Sequence, residues 1–258
     1  MKYIDVSVWQ GKVDFEKVRP NVDGVILRAG YGRGTVDAYF QRNVEECNRL
    51  NISVGAYWFS YAKNASMAID EARFLLDTVA PYNIELPLAF DFEYDSVSQA
   101  KASGVTITKE LASDMAVAFC ETIESAGYYV LLYSNPDFLA NYYDDRVKRF
   151  GLWLAQYPVA KVFDKSKPPH TCDIWQWGTS AVPGINGVVD TNESYHDFKT
   201  IIKNAKLNKP QSPKSGAEWA LENGIITDIA DSAIGEAIYR YHKAFGNNVV
   251  CILVCILL

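Results

Sequence analysis

Short apolar runs rich in Val, Ile, Tyr and Phe alternate along the chain with stretches whose apolar residues recur at helical spacing. The runs predict strands at Tyr3–Val8, Val25–Arg28, Val54–Phe59, Leu88–Glu93, Tyr129–Tyr133, Leu152–Gln156, Ile174–Trp177 and Val188–Asp190. Helices are predicted over Phe40–Leu50, Ala65–Val79 and Lys109–Ala126, the last starting after Thr108 and stopping at Gly127. Early strands are separated by spacers long enough for the helical crossovers that parallel strands require. After Tyr133 the spacers carry Pro136, Pro158, Pro168, Pro169 and Pro183, and helix room runs out. This layout predicts an α/β fold: an irregular TIM-like barrel of five β/α units closed by three nearly bare strands, with its site at the strands' C-terminal ends.

The barrel is expected to occupy residues 1–202, followed by a basic Pro/Lys linker over 203–216. A short helical appendage over 217–258 ends in the apolar run Val249–Leu258, far too short to span a bilayer.

Composition narrows the function. The net charge is −6 across 258 residues, and residues 1–200 hold no Lys/Arg cluster interleaved with aromatics, which argues against nucleic acid. Five Cys at positions 47, 120, 172, 251 and 255 form neither a zinc pattern nor an even disulfide framework and read as free thiols. The three His have no metal spacing, and no metal or cofactor is expected. Met1 runs straight into a strand without a signal peptide, so synthesis in the cytoplasm is expected. Gly30–Gly34 lacks the lysine of a phosphate-cradling loop, and no Gly-x-Ser-x-Gly elbow occurs.

The most informative stretch is Leu88-Ala89-Phe90-Asp91-Phe92-Glu93-Tyr94-Asp95. On a strand, Phe90, Phe92 and Tyr94 share one face and Asp91, Glu93 and Asp95 the other. Unpartnered carboxylates on a buried strand cost several kcal/mol each, which marks a functional site; the competing reading is a strand that frays into a solvated acidic turn. Asp5 lies in the first strand and Asp190 ends the last. First and last strands adjoin in a closed barrel, so all four acids can converge. Their mutual repulsion would raise at least one pKa and provide a general acid near neutral pH. Paired carboxylates are the usual equipment for glycosidic hydrolysis.

These segments together resemble glycoside hydrolase family 25, the Chalaropsis-type lysozymes that include phage endolysins and bacterial autolysins. The matching pieces are Asp5–Gly11, Arg28–Gly32 with Asp37 and Phe40, Gly55–Ala62, Asp91–Glu93, Tyr133–Asn135, Trp153–Tyr157, Trp175–Trp177 and Val189–Asn192. The resemblance implies a flattened barrel that cuts the β-1,4 bond between N-acetylmuramic acid and N-acetylglucosamine in bacterial peptidoglycan. It implies Glu93 as catalytic acid, Asp91 as the residue steadying the substrate's 2-acetamido group, and Asp5 and Asp190 as the remaining acids of the cleft. Hydrolysis assisted by the substrate's acetamido oxygen competes with direct water attack and inversion. A glycosidase acting on chitin and a non-catalytic glycan-binding module are the alternative functions. As in an endolysin, action on the wall after release is expected.

The rim aromatics Tyr61, Tyr94, Tyr133, Trp153 and Trp175, with Arg28 and Gln156, are the candidate sugar contacts. Tyr57, Phe59 and Phe90 sit inside strands and read as core.

Overall fold

Eight strands close a barrel in the computed structural model of the chain, which describes residues 1–159 and 163–209. The nine strands among the described residues are, in chain order, β1 (Lys2–Val6), β2 (Gly24–Tyr31), β3 (Thr35–Val36), β4 (Ser53–Phe59), β5 (Leu88–Asp91), β6 (Val130–Ser134), β7 (Gly151–Ala155), β8 (Ile174–Ser180) and β9 (Val189–Ser194). β3 stands outside the barrel as the return arm of a hairpin with β2. The barrel strands run parallel from β1 through β2 and β4 to β8, and β9 closes the ring antiparallel to both β8 and β1.

The helices are α1 (Phe15–Val18), α2 (Phe40–Arg49), α3 (Ala65–Val79), α4 (Tyr94–Ala102), α5 (Lys109–Ser125), α6 (Pro136–Asn141) and α7 (Phe198–Ala205). Helices follow β1, the β2–β3 hairpin, β4, β5 and β6, whereas the connections after β7 and β8 carry none among the described residues. The fold is therefore the asymmetric barrel that the spacer lengths imply. Local chemistry sets the helix starts: Asn64 Oδ1 accepts from Met67 N at 2.9 Å to open α3, and Thr108 Oγ1 accepts from Leu111 N at 3.1 Å to open α5. Four of the described helices escape the periodicity. α1 is a single turn, opened by Asp14 as its cap. α6 is short, with Pro136 in its first turn and Asn135 as its cap. α4 is too polar to show a stripe, and α7 follows the last strand and runs past the expected end of the barrel into the expected linker.

Parity along the strands builds two apolar layers. Tyr3, Ile26, Ala89, Leu131, Trp153 and Ile174 fill the barrel interior, where Phe198 and Ile202 of α7 join them. Their neighbours on the opposite parity, among them Leu27, Trp58, Phe90 and Leu132, pack outward in a cluster with Val44 of α2, Leu75 of α3 and Phe119 of α5.

The barrel does not stop at residue 202. Chain contacts group Met1–Pro210 as one compact unit, and the boundary read from the lysines falls inside α7. Past the helix, Asn208 Oδ1 accepts from Tyr129 N at 2.7 Å and its Nδ2 donates to Leu86 O at 2.9 Å, tying the chain beneath β5 and β6. A chain ended after residue 202 should be less stable than one ended after residue 210 by about 2–4 kcal/mol, since buried backbone groups lose their partners. Urea unfolding of the two truncations checks this; equal stabilities would contradict it. Residues 210–216 of the expected linker and the whole expected appendage at 217–258, with its apolar end, lie outside the described residues.

Candidate active site

The acids meet where strand parity and strand direction coincide. Asp5 points into the barrel near the end of β1, and Asp190 pairs with it across the β1–β9 ladder. Asp190 is the second residue of β9 rather than its last. Because β9 runs antiparallel, its first residues lie beside the C-terminal ends of the other strands. Asp91 is the last residue of β5, its side chain buried on the interior parity. The strand stops there, and Glu93 caps α4 with its N–H donating to Ser96 Oγ at 3.1 Å. This turn removes Asp95 from the face predicted for it: Asp95 lies in α4 and accepts from Tyr61 Oη at 2.5 Å.

The resulting cleft encloses about 360 Å³ and is lined by Asp5, Asp91, Glu93 and Asp190, with Tyr57, Tyr133 and Tyr157 among its aromatic walls. Burial dominates the electrostatics. Desolvation, the facing Asp190 charge and Glu93 push the Asp5 carboxyl up to about 7, against hydrogen bonds from Asn192 and Gln176 that pull it down. Asp91 is raised well above the usual carboxylate range by burial and then by the neighbouring Glu93. Burial also raises Glu93, against a hydrogen bond from Asp91 that pulls it down, and the charges of Asp190 and Asp95 add to the rise. Asp190 is raised by burial, partly offset by the Tyr157 Oη donating to its Oδ1 at 2.9 Å. Asp91 Oδ1 is buried without a hydrogen-bond partner. A buried acceptor left open in this way is suited to a donor brought by a ligand. The acids form no cluster of metal-holding geometry among the described residues.

The expected sugar contacts separate by parity. Tyr133 and Arg28 line the cleft, but the Arg28 guanidinium is held by Asp37 at 2.7 Å through both Nε and Nη2. Trp153 lies on the cleft floor, 2% exposed, and its indole N–H is taken by Asn192 Oδ1 at 2.8 Å. Trp175 and Gln156 do not line the cleft. Each sits one residue out of phase with the interior: Trp175 packs in a separate cluster with Leu154 and Cys172, and its Nε1 donates to the Gln156 carbonyl. Their neighbours Gln176 and Tyr157 face the cleft instead. Tyr61 and Tyr94 stand outside the cleft lining, bound to Asp95 and Asp137. Tyr57 and Phe59, expected in the core, line the cleft because the barrel is hollow at that level; Phe90, on the outward parity, is buried in the core. Trp9, which is absent from the expected contacts, is 82% exposed at the cleft edge in the turn after β1.

The model of the family described as glycosyl hydrolases family 25 matches residues 4–185. The chain belongs to that family. With it the chain joins the glycoside hydrolases. The Escherichia coli K12 protein YegX is 29% identical over 204 residues, covering 73% of this chain and 67% of its own. The autolytic lysozyme of Clostridium acetobutylicum is 25% identical over 196 residues, 75% of this chain and 55% of its own. Among solved structures, the modular autolysin LytC of Streptococcus pneumoniae superimposes with a TM-score of 0.60 at 30% identity, covering 74% of this chain and 46% of that one. The bacterial lysozyme of Streptomyces coelicolor shares the fold, with a TM-score of 0.63 at 20% identity over 80% of this chain and 96% of that one. No described helix is long and apolar enough to cross a membrane.

Burial of the carboxyls in and around the cleft has a measurable cost. Glu71 of α3, which accepts from Tyr61 N behind the cleft, is also pushed up by desolvation to about 7. A carboxyl raised in the folded state stabilises it fully below the unfolded pKa and loses that contribution as pH rises through the folded value. For Asp5 and Glu71 the window runs from near 4 to about 7. Stability should therefore be greater at pH 5 than at pH 8, by on the order of 2 kcal/mol. Glu71→Gln should flatten the slope. Thermal melts across that range check both; a melting temperature that climbs toward pH 8 would contradict them.

Proposed function

We propose that the chain is a muramidase that hydrolyses the β-1,4 bond between N-acetylmuramic acid and N-acetylglucosamine in bacterial peptidoglycan. The observation that carries the proposal is the pair Asp91 and Glu93: two raised, adjacent carboxyls in a cleft whose other wall holds Asp5 and Asp190. Family membership and the lysozymes and autolysins among the relatives support the substrate.

In this reading Asp91 and Glu93 together hold one proton at neutral pH, because two carboxylates this close and this buried resist ionising together. An acetamido N–H brought to the open Asp91 oxygen favours the ionised form of Asp91, which leaves the proton on Glu93. Glu93 then protonates the glycosidic oxygen as the acetamido oxygen attacks the anomeric carbon and the C–O bond breaks. Water next attacks that carbon and displaces the acetamido oxygen, and its proton returns to Glu93. Configuration is retained. Substrate assistance of this kind departs from the common two-carboxylate scheme.

A gel overlay with purified peptidoglycan in one lane set and chitin in the other tests the substrate. Clearing confined to peptidoglycan is the expected result. Clearing of chitin alone points to another N-acetylated polymer, and retention without clearing of either points to a binding module.

A further inference from the structure

Two buried amides converge on one oxygen of Asp5. Asn192 Nδ2 donates to Asp5 Oδ2 at 2.9 Å, and Gln176 Nε2 donates to the same oxygen at 3.1 Å. Each amide is fixed from behind. The indole N–H of Trp153 donates to Asn192 Oδ1 at 2.8 Å, and Tyr133 Oη donates to Gln176 Oε1 at 3.0 Å. The orientation is dictated by chemistry. An indole nitrogen can only donate, so Asn192 must turn its oxygen to Trp153 and its NH₂ to the carboxylate. The bonds that Trp153, Asn192, Gln176 and Asp5 make with one another are all buried, where an unmade bond is costly.

We propose that Asn192 and Gln176 form a two-amide clamp that positions Asp5, with Trp153 and Tyr133 setting the direction of the amides. The clamp fills Oδ2 with two donors. Oδ1 is then the oxygen left to face a sugar and the one that takes a proton when Asp5 is neutral. Trp153, expected as a sugar platform, acts instead through Asn192. The role of the clamp in turnover rests on the muramidase reading; its effect on Asp5 does not.

The titratable and charged groups that share the cleft with Asp5 are Asp190 on β9, Asp91 at the end of β5, Glu93 at the start of α4, Arg28 on β2, Tyr57 on β4, Tyr133 on β6 and Tyr157 after β7. Burial and the charges of Asp190 and Glu93 disfavour its ionised form, and the two amides act against them. Removing an amide donor therefore moves the titration of Asp5 upward, whereas a merely structural loss would lower stability and leave that midpoint in place.

Carboxyl ¹³C NMR titration of the full chain without substrate reads the Asp5 midpoint directly, in wild type, Asn192→Leu and Tyr133→Phe. The expected result is a midpoint raised by at least about half a unit in Asn192→Leu and by less in Tyr133→Phe, where both donors remain and only the orientation of one is loosened. Tyr133→Phe deletes a single oxygen, so it supplies the answer if Asn192→Leu does not fold. A wild-type midpoint in the folded variants overturns the clamp. With peptidoglycan, Asn192→Leu should lower kcat by roughly tenfold or more at nearly constant KM, the scale typical of groups that orient a reacting residue. A wild type that fails to digest peptidoglycan would refute the muramidase reading, while the Asp5 midpoints would still decide for or against the clamp.

Discussion

Replacing Glu93 with glutamine is expected to lower peptidoglycan hydrolysis by ~10²–10⁴-fold, the usual worth of general acid catalysis. Glutamine keeps the size and hydrogen-bonding capacity of the side chain but has no proton to give the leaving oxygen. Glu93 also opens α4 in a capping box with Ser96, where its side chain accepts from the Ser96 N–H, a bond that a glutamine side-chain oxygen can accept as well. The fold should therefore be unchanged. Circular dichroism alongside reducing-sugar release separates the two effects. Near-wild-type turnover by a folded Glu93→Gln protein would remove Glu93 from the role.

Asp91→Asn should have the second largest effect, a fall of ~10²-fold or more in kcat with KM moved far less. The reason lies in when the interaction strengthens. The carboxylate of Asp91 gains most as positive charge develops on the acetamido group, after the substrate is already bound. The buried, unpartnered Oδ1 is where that contact is expected. A variant that raised KM and kept kcat would make Asp91 a passive sugar contact. An inverted anomer in the first product would exclude acetamido assistance.

Much of this site is legible in the chain because strand parity is short-range information. Asp5, Asp91 and Asp190 are acids in apolar runs, and their placement at the barrel mouth needs only a closed sheet. Glu93 follows from extending that parity two residues past Asp91, although the strand ends there and α4 begins. The errors have the same origin. Trp175 and Gln156 are conspicuous residues near strand ends, but a slip of one position moves a side chain to the other face of the barrel. Gln176 carries a usable signal: a lone amide between two tryptophans in Ile174-Trp175-Gln176-Trp177 is the residue that needs buried partners. The antiparallel direction of β9 is legible only in its spacer, because residues 181–188 are too few for the crossover that a parallel return requires. Periodicity cannot tell that Tyr57 and Phe59 face a hollow, because an aromatic at an interior position has the same pattern whether the space beside it is filled or open.

The bond that is cut is read from the chemical identity of the new reducing end. Purified peptidoglycan is digested to completion, reduced with borohydride and hydrolysed, and the reduced amino sugar is identified. N-acetylmuramic acid is expected at the new reducing end, released by wild type and essentially absent with Glu93→Gln. N-acetylglucosamine at that position, or equal release by both proteins, would contradict the muramidase reading.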